Sequence, residues 1–528
     1  MTNDRHDSAL SSPFDRRQLF ETLERWNPWG AARLEPGFPR RVLDNLRPFL
    51  DTPEIVALIG PRRAGKTTVL YQVMRLLEEK GTPLEALFHL NLEEPALTAE
   101  PGIELLERLY RLYRAEVFPQ GRAWIFLDEI QHVPGWERWV RARNESEDVK
   151  FFVTGSSAAL MSAELATLLT GRHVTFRVMP LDFRELLQFR GVELPRRAHL
   201  RTAPPEIQHA LYEYLRWGGF PEVVLAKDEE RKEVLLKQYF DDILFRDVSW
   251  RHQIRNFTTL RRLAVHLLSR TARLVSLQRL AQIFGVSLEL IRSYCQYLEE
   301  AFLVHFVPFY SLKTGEEVRR PRKVHALDPG LRNAVCLTGS PDRGYLAESV
   351  VHNALLAQAP DSLFYWEGTG EVDLLVHQGT SVRTLVQVCE SLDDRAVRDR
   401  ELRALAAAKA SFPTAQALLV ASEPPAHELR GTAADVDVVP LWRFLAAGGA
   451  SIPERKDGPE PDLPDPESAV LEHLNEHGRM TRKEVCALLG LTAAQASSLL
   501  RRLLAEGELV RHGSGRGTWY GLRGRRRS

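Results

Sequence analysis

The sequence predicts an α/β chain led by a parallel sheet with helices on both faces, followed by smaller helical and mixed domains. Three observations carry that expectation. The apolar run Ile55–Ile59 passes into Gly60-Pro61-Arg62-Arg63-Ala64-Gly65-Lys66-Thr67-Thr68, after which Val69, Leu70, Val73 and Leu76 repeat at helical spacing. A second apolar run, Trp124–Leu127, ends in Asp128-Glu129. Around them, short apolar runs alternate with helical patterns at the spacing of strand–helix–strand units.

Residues 60–67 have the full spacing G-x-x-x-x-G-K-[ST] of a phosphate loop. Gly60 and Gly65 let the backbone bend so that several N–H groups turn toward phosphate oxygens, and the helix from Lys66 aims its positive dipole end at the same place. Lys66 adds a full charge near the β- and γ-phosphates, the Thr67 hydroxyl is placed to ligate Mg²⁺, and Thr68 completes the nucleotide-binding set. Asp128 is expected to hold the Mg²⁺ shell, and Glu129 to polarise the attacking water as general base. ATP and Mg²⁺ are therefore the expected ligands. A chance glycine-rich turn and a strand running into a polar turn are the plain alternatives, and each loses force beside the other. A third strand, Val149–Val153, ends in Thr154-Gly155-Ser156-Ser157. Ser156 is the candidate sensor of the γ-phosphate or lytic water, with ordinary turn chemistry as the competing reading.

The 528 residues give room for roughly three to five domains. The 70 basic and 70 acidic side chains cancel, so overall charge points to no partner class. Cys295, Cys336, Cys389 and Cys486 stand far apart without a C-x-x-C, which fits reduced thiols rather than a disulfide frame or zinc site. The polar N-terminus lacks an apolar h-region, and no stretch of ~18 apolar residues offers a membrane span. The expectation is a soluble cytoplasmic protein.

In chain order, residues 1–12 read as disordered. Helices are expected at Phe14–Asn27, Val42–Leu50 and Gly102–Glu116, with a strand across Ala86–Leu92. Ala159–Gly171 is predicted as a helix ending before Arg172, followed by strand Val174–Val178 and helix Phe183–Phe189. Arg172 sits where an arginine could reach a neighbouring subunit's γ-phosphate; a surface arginine near a helix C-terminus is the alternative.

The order GPRRAGKTT, FLDEIQHVPGW, VTGSS, LLTGR and PLDFRELL, with YLRWGGFP from Tyr214 and FDDILFRD from Phe240, resembles a family of bacterial and archaeal AAA+ ATPases. In that family the ATPase is fused to a C-terminal domain of uncharacterised function with a nuclease-like fold. The resemblance implies an AAA+ core, placed at 46–195 after an N-terminal helical segment at 1–45, and a helical lid at 196–255.

Residues 256–335 then read as helix, helix, turn, helix and hairpin: Leu260–Leu268, Leu277–Phe284, Leu288–Leu298, Phe302–Phe309 and Lys323–Leu327. This is a winged-helix pattern, suited to DNA contact or to internal packing. Residues 336–450 resemble the restriction-endonuclease-like fold. Its active form needs a helix Glu, a strand-end Asp and a Glu-x-Lys to hold Mg²⁺ and activate water. Glu348 and Asp373 fall in place, but Gln387-Val388-Cys389 puts an amide and a thiol where a carboxylate and an ammonium are needed. The domain therefore reads as inactive, a scaffold or DNA-holding part.

Residues 451–466 form an extended acidic linker; five prolines and six acids crowd positions 451–467, with Arg455 and Lys456 as the bases. Residues 467–528 read as a second winged helix. Thr481 and Glu484 are spaced as a capping box, and Ala493–Ala505 is its third helix, carrying Gln495, Ser498, Arg501 and Arg502. That helix is expected in the DNA major groove, with Arg511, Arg516 and the tail Arg523–Arg527 on phosphates; winged helices also bind proteins.

Taken together, these features describe a DNA-binding AAA+ ATPase, an oligomeric motor or remodeller of the translocase, helicase or branch-migration type. Duplex or branched DNA is the expected partner and a homo-oligomer, a hexamer among the candidate sizes, the expected state. A nucleotide switch serving as transcriptional regulator or defence sensor is the alternative, and a Mg²⁺-dependent nuclease the third reading.

Overall fold

A computed structural model describes residues 13–32, 35–94, 102–157, 172–194, 203–311, 315, 320–336, 343–360, 362–368, 370–379, 381–423, 435–449, 466–489, 493–505, 507–513 and 518–522. The segments expected to be disordered (1–12) or helical (159–171) lie outside them. Five parallel strands, β1 (Ile55–Ile59), β2 (Leu87–Asn91), β3 (Ala123–Asp128), β4 (Val149–Gly155) and β5 (His173–Arg177), form the first sheet in the order β2-β3-β4-β1-β5. β1 and β4 are buried along their whole length, which is why β1 reads as an unbroken apolar run and β4 is interrupted only by Lys150 before its polar end.

Helices α1 (Pro13–Trp26), α2 (Val42–Leu46), α3 (Lys66–Glu79), α4 (Ile103–Glu116), α5 (Trp136–Ser146) and α6 (Phe183–Phe189) belong to this part. α2 stops short of the expected Leu50 because Pro48 lacks the N–H that an α-helix would use, and a 3₁₀ turn, Arg47–Phe49, carries the chain on. Val69, Leu70, Val73 and Leu77 of α3 pack on Val56, Leu58, Phe126 and Phe152 of the sheet. Each such buried side chain contributes about 1.5–3 kcal/mol, so the loop ahead of α3 rests on a firm base. β4 lies between β1 and β3, and the carboxyl ends of all three meet at one edge, where open parallel sheets bind ligands.

The chain continues through α7 (Pro205–Trp217), α8 (Pro221–Leu225), α9 (Glu229–Asp242) and a π-helical segment, Ile243–Trp250. α10 (Phe257–Ser269), α11 (Leu277–Phe284), α12 (Leu288–Glu300) and α13 (Pro329–Val335) accompany an antiparallel sheet of β6 (Arg273–Val275), β7 (Val304–Val307) and β8 (Arg322–Ala326), in the order β6-β8-β7. β6 is too short to show a periodicity in the sequence. The lid and inner winged helix, drawn apart at residue 255 in the sequence, share one core. Phe220, Phe240, Leu244 and Val248 pack with Leu260, Leu263, Leu267, Ile291, Leu298, Phe306 and Val324. Apolar faces on both sides of that position close on each other.

A second five-stranded sheet runs β13-β12-β11-β10-β9, from β9 (Leu363–Glu367), β10 (Glu371–Gln378), β11 (Ser381–Ser391), β12 (Gln416–Glu423) and β13 (Val436–Pro440). β9 to β11 are antiparallel, and β11 to β13 parallel. α14 (Arg343–Leu356), α15 (Arg395–Ser411) and α16 (Leu441–Ala446) complete it. All of this, with the first sheet, forms one compact unit over 1–194 and 209–450.

The other unit contains α17 (Pro466–His477), α18 (Arg482–Leu489), α19 (Ala493–Ala505) and the hairpin of β14 (Leu509–His512) and β15 (Trp519–Leu522). Val470, Leu474, Val485, Ala496, Leu499, Leu500 and Leu503 form its core. Thr481 N–H donates to Glu484 Oε2 at 2.7 Å and Glu484 N–H to Thr481 Oγ1 at 3.3 Å, the reciprocal capping box. Among the described residues no helix is long and apolar enough to cross a membrane.

Candidate functional site

Gly60 and Gly65 bracket the loop for separate reasons. A Cβ on Gly60 would stand 1.9 Å from the Val178 carbonyl oxygen, so only glycine lets the loop leave β1 beside the chain following β5. Gly65 has φ 98°, a left-handed backbone that side chains disfavour. α3 begins at Lys66, and its first-turn N–H groups have no partner within the helix. Behind the loop, buried Arg40 donates to the Ala64 carbonyl at 2.7 Å and the Met179 carbonyl at 2.7 Å, and pairs with buried Glu185 at 2.9 Å.

The acidic wall faces this loop. Thr67 Oγ1 donates to Asp128 Oδ2 at 2.6 Å, and Thr154 Oγ1 donates to Asp128 Oδ1. Glu129 N–H donates to Thr154 Oγ1 at 2.9 Å, so the middle strand fixes both acids. Glu129 adopts φ 53°, a strained conformation for a non-glycine residue and one that recurs at functional sites. Its Oε1 lies 3.4 Å from Lys66 Nζ, which also donates to the Gly60 and Pro61 carbonyls at 3.1 and 3.2 Å. Gln131 Nε2 holds the other oxygen. Burial, then Glu129, raises the Asp128 pKa; Glu129 resists burial because Lys66, Gln131 and Arg62 hold its pKa below the ordinary value.

Ser156 is fully buried, and its Oγ donates to Asp247 Oδ1 at 2.6 Å. Asp247 comes from the π-helical segment, so the strand-end serine is tied to the helical part of the unit. Arg62, inside the phosphate loop, pairs with Glu93 at 2.7 Å and with Asp247 at 3.4 Å. His132 and Arg62 hold Glu93 down to about 2 against the effect of burial. Arg251 is pushed down by burial while the charges of Asp247 and Glu129 favour its cationic form. Arg62, Glu93, Thr154, Asp247 and Arg251 were not singled out from sequence. Arg62 had a signal, a cation inside the loop itself; Asp247 had only its place in the FDDILFRD motif.

Of the expected nucleotide residues, Gly60, Gly65, Lys66, Thr67, Asp128, Glu129 and Ser156 converge here, and Thr68 is half-buried in the first turn of α3. Arg172 does not join them. It is exposed and paired with Glu145 of α5 at 2.5 Å, and its carbonyl accepts from Ile55 N–H at the amino end of β1, opposite the phosphate loop. Any contact of Arg172 with nucleotide therefore requires another chain's site.

The nuclease-like set is only partly assembled. Asp373 N–H donates to Gln387 Oε1 at 3.2 Å, Val388 N–H donates to Asp373 Oδ2 at 2.9 Å, and Gln387 Nε2 donates to Glu401 Oε2 at 2.7 Å. Burial pushes the Cys389 thiol up to about 12, far from the cation a cutting site would want there. Glu348 and Asp373 are linked through Lys323, a residue the sequence did not flag. On the winged helix, Ser498, Arg501, Arg502 and Arg511 are exposed while Ala496, Leu499, Leu500 and Leu503 turn inward. Gln495 lies on α19 but its side chain, like Arg516 and the arginine tail, lies outside the described residues.

The parallel sheet, its phosphate loop and the facing Asp128-Glu129 pair define a P-loop ATPase of the AAA+ class. An AAA domain profile matches residues 52–187, a profile for a domain of unknown function matches 208–342, and a MarR family profile matches 462–517. An uncharacterised protein of Methanocaldococcus jannaschii is 30% identical over 405 residues, 75% of this chain and 86% of that one. One from Haemophilus influenzae is 31% identical over 297 residues, 55% of this chain and 71% of its own. The chain belongs to the AAA-domain family of these archaeal and bacterial relatives and adds a MarR-like winged helix at its C-terminal end. Among solved structures, Aeropyrum pernix ORC1 in complex with DNA is similar at 16% identity over 62% of this chain and 95% of that chain. Its TM-score of 0.31 is too low to define a shared arrangement.

Proposed function

We propose that this protein is an ATP-hydrolysing DNA remodeller that works as a homo-oligomer, converting nucleotide turnover into movement of winged helices on DNA. The observation that carries this reading is the bridge from Ser156 and Arg62 to Asp247, because Asp247 sits on the π-helical segment whose Leu244 and Val248 pack into the same core as the inner winged helix. A change at the phosphate end of the site would thereby act on the helical part that shares this core. The exposed arginines of α19 and β14 support DNA as the polymer, by the logic of phosphate contact.

The hydrolysis follows from the same side chains. Thr67 Oγ1 and Asp128 Oδ2 offer the hard oxygen donors that suit Mg²⁺, which when bound would draw charge from the phosphate oxygens. An arriving triphosphate competes with Glu129 for Lys66. As Lys66 turns to the phosphates, the Glu129 carboxylate is freed to take a proton from the attacking water. Ser156, at the end of β4, reports the state of the terminal phosphate by keeping or releasing Asp247. Arg172 is proposed to reach the adjacent protomer's nucleotide.

The test is turnover with and without duplex DNA, joined to strand-displacement and junction-migration assays. DNA should stimulate ATP hydrolysis severalfold, and Lys66→Ala should abolish it. An identical rate with and without DNA, with every substrate unmoved, refutes the motor. A nucleotide switch is the second reading, favoured by one feature: Lys66 pairs with Glu129 and Ser156 is tied to Asp247, so the polar groups of the site are held by its own side chains, an arrangement suited to slow exchange. Tight ATP binding with negligible stimulation would select it.

A further inference from the structure

Away from the nucleotide site, a buried ammonium stands among three carboxylates. The Lys323 side chain on β8 is 3% exposed, and its Nζ lies 2.8 Å from Glu348 Oε1, 2.8 Å from Glu371 Oε1 and 2.9 Å from Asp373 Oδ1. Glu348 comes from α14, and Glu371 and Asp373 come from β10, so carboxylates from two elements converge on the nitrogen of a third. An ammonium has three N–H donors and no acceptor, and here three carboxylate oxygens stand at charge-assisted hydrogen-bond distance. A Mg²⁺ at the same point would need its oxygens drawn in to about 2.0–2.1 Å, whereas these distances are those of an ammonium. Among the described residues no cluster of His, Cys, Asp or Glu is arranged to hold a metal ion. The rest of Asp373 is also committed: its second oxygen accepts from Val388 N–H, and its N–H donates to Gln387.

We propose that Lys323 is the resident cation of this cluster, an internal ion latch standing in place of a metal-dependent cutting site and holding the sheet β6-β8-β7 to the nuclease-like sheet. The latch accounts for two substitutions at once. With the cation delivered from β8, the strand carrying Gln387 and Cys389 no longer has to provide a metal-binding carboxylate or a lysine. It also makes the nuclease-like sheet a passenger of the winged-helix body, whatever drives that body, so the inference does not depend on the ATPase reading.

Chemical rescue tests it. Full-length Lys323→Ala is compared with the unaltered chain by thermal melting, in ethylammonium chloride and in sodium chloride of equal ionic strength. Removing the cation of a buried pair strands its partners, so the variant is expected to melt about 3–6 °C lower, scaled for a unit of this size. Ethylammonium should restore part of the loss and sodium should not, while the unaltered chain responds to neither. A variant that melts normally, or one that ethylammonium fails to restore, overturns the proposal. So does an unaltered chain that takes up Mn²⁺ without nucleotide and loses that uptake on Asp373→Asn, or one that cleaves DNA with Mg²⁺. Should Lys323→Ala not fold, Lys323→Met/Glu348→Gln/Asp373→Asn removes the stranded charges and is expected to fold and melt close to the unaltered chain; failure of that variant also overturns the latch.

Discussion

Replacing Glu129 by glutamine should tighten ATP binding while stopping its hydrolysis. Lys66 Nζ and Glu129 Oε1 are 3.4 Å apart and both are buried. Two unit charges at that separation attract by about 5 kcal/mol at an effective dielectric of ~20. Most of this is recovered in the variant, because Lys66 keeps the Gly60 and Pro61 carbonyls and the glutamine oxygen still accepts a hydrogen bond. A net release of about 1–3 kcal/mol remains, which corresponds to roughly 5- to 150-fold tighter ATP. Loss of the base should lower the single-turnover hydrolysis rate by about 10²–10⁴. Equilibrium titration with a fluorescent ATP analogue and a single-turnover assay read the two effects separately. Unchanged or weaker binding would refute the competition of Glu129 and phosphate for Lys66. Retained hydrolysis would refute the assignment of Glu129 as base.

Arg40→Met should cost about 3–5 kcal/mol in a denaturant melt, because it leaves Glu185 buried beside the phosphate loop without its cation; a loss under 1 kcal/mol would show that the pair does not hold the loop. Arg501→Gln/Arg502→Gln/Arg511→Gln should flatten the salt dependence of DNA binding by about 2–3 units of slope, since each phosphate contact contributes about 0.9. An unchanged slope in a fluorescence-anisotropy salt series would move DNA contact off this winged helix. His305, whose Nδ1 lies 2.9 Å from His352 Nε2 and which faces Glu299 and Arg177, is pushed down to about 4 by burial first and by Arg177 second. Its contribution to stability is whole above pH ~6.5, the unfolded value, and is lost as the pH falls toward 4, because only the unfolded chain takes up the proton. The difference in unfolding free energy between the unaltered chain and His305→Gln should shrink by about 3 kcal/mol across that window; a flat difference would contradict the neutral, half-buried assignment.

The parts that could be read from sequence were those where chemistry demands a fixed local spacing. Gly60 to Thr67 must bend around a phosphate, and Asp128-Glu129 must end a buried strand, so both announce themselves within eight residues. The same holds for Thr481 and Glu484, three apart at a helix start. Lys323 could not be found this way. It alternates as an ordinary strand residue, and the three carboxylates that define it are supplied by other elements. Asp247 is similar: nothing nearby says that its carboxylate meets Ser156 and Arg62. The lid and inner winged helix were separated because each shows its own helical periodicity, and periodicity does not reveal that two apolar stripes face each other.

That shared core joins the π-helical segment to α12. α12 has 13 residues and is ~20 Å long at 1.5 Å per residue. A ~10° swing of a rigid rod of that length displaces its tip by about 3.5 Å, close to the 3.4 Å rise between successive bases of duplex DNA. On the proposed reading, a small angular step made where a phosphate leaves would reach the tip of α12 as a displacement on the scale of one base pair.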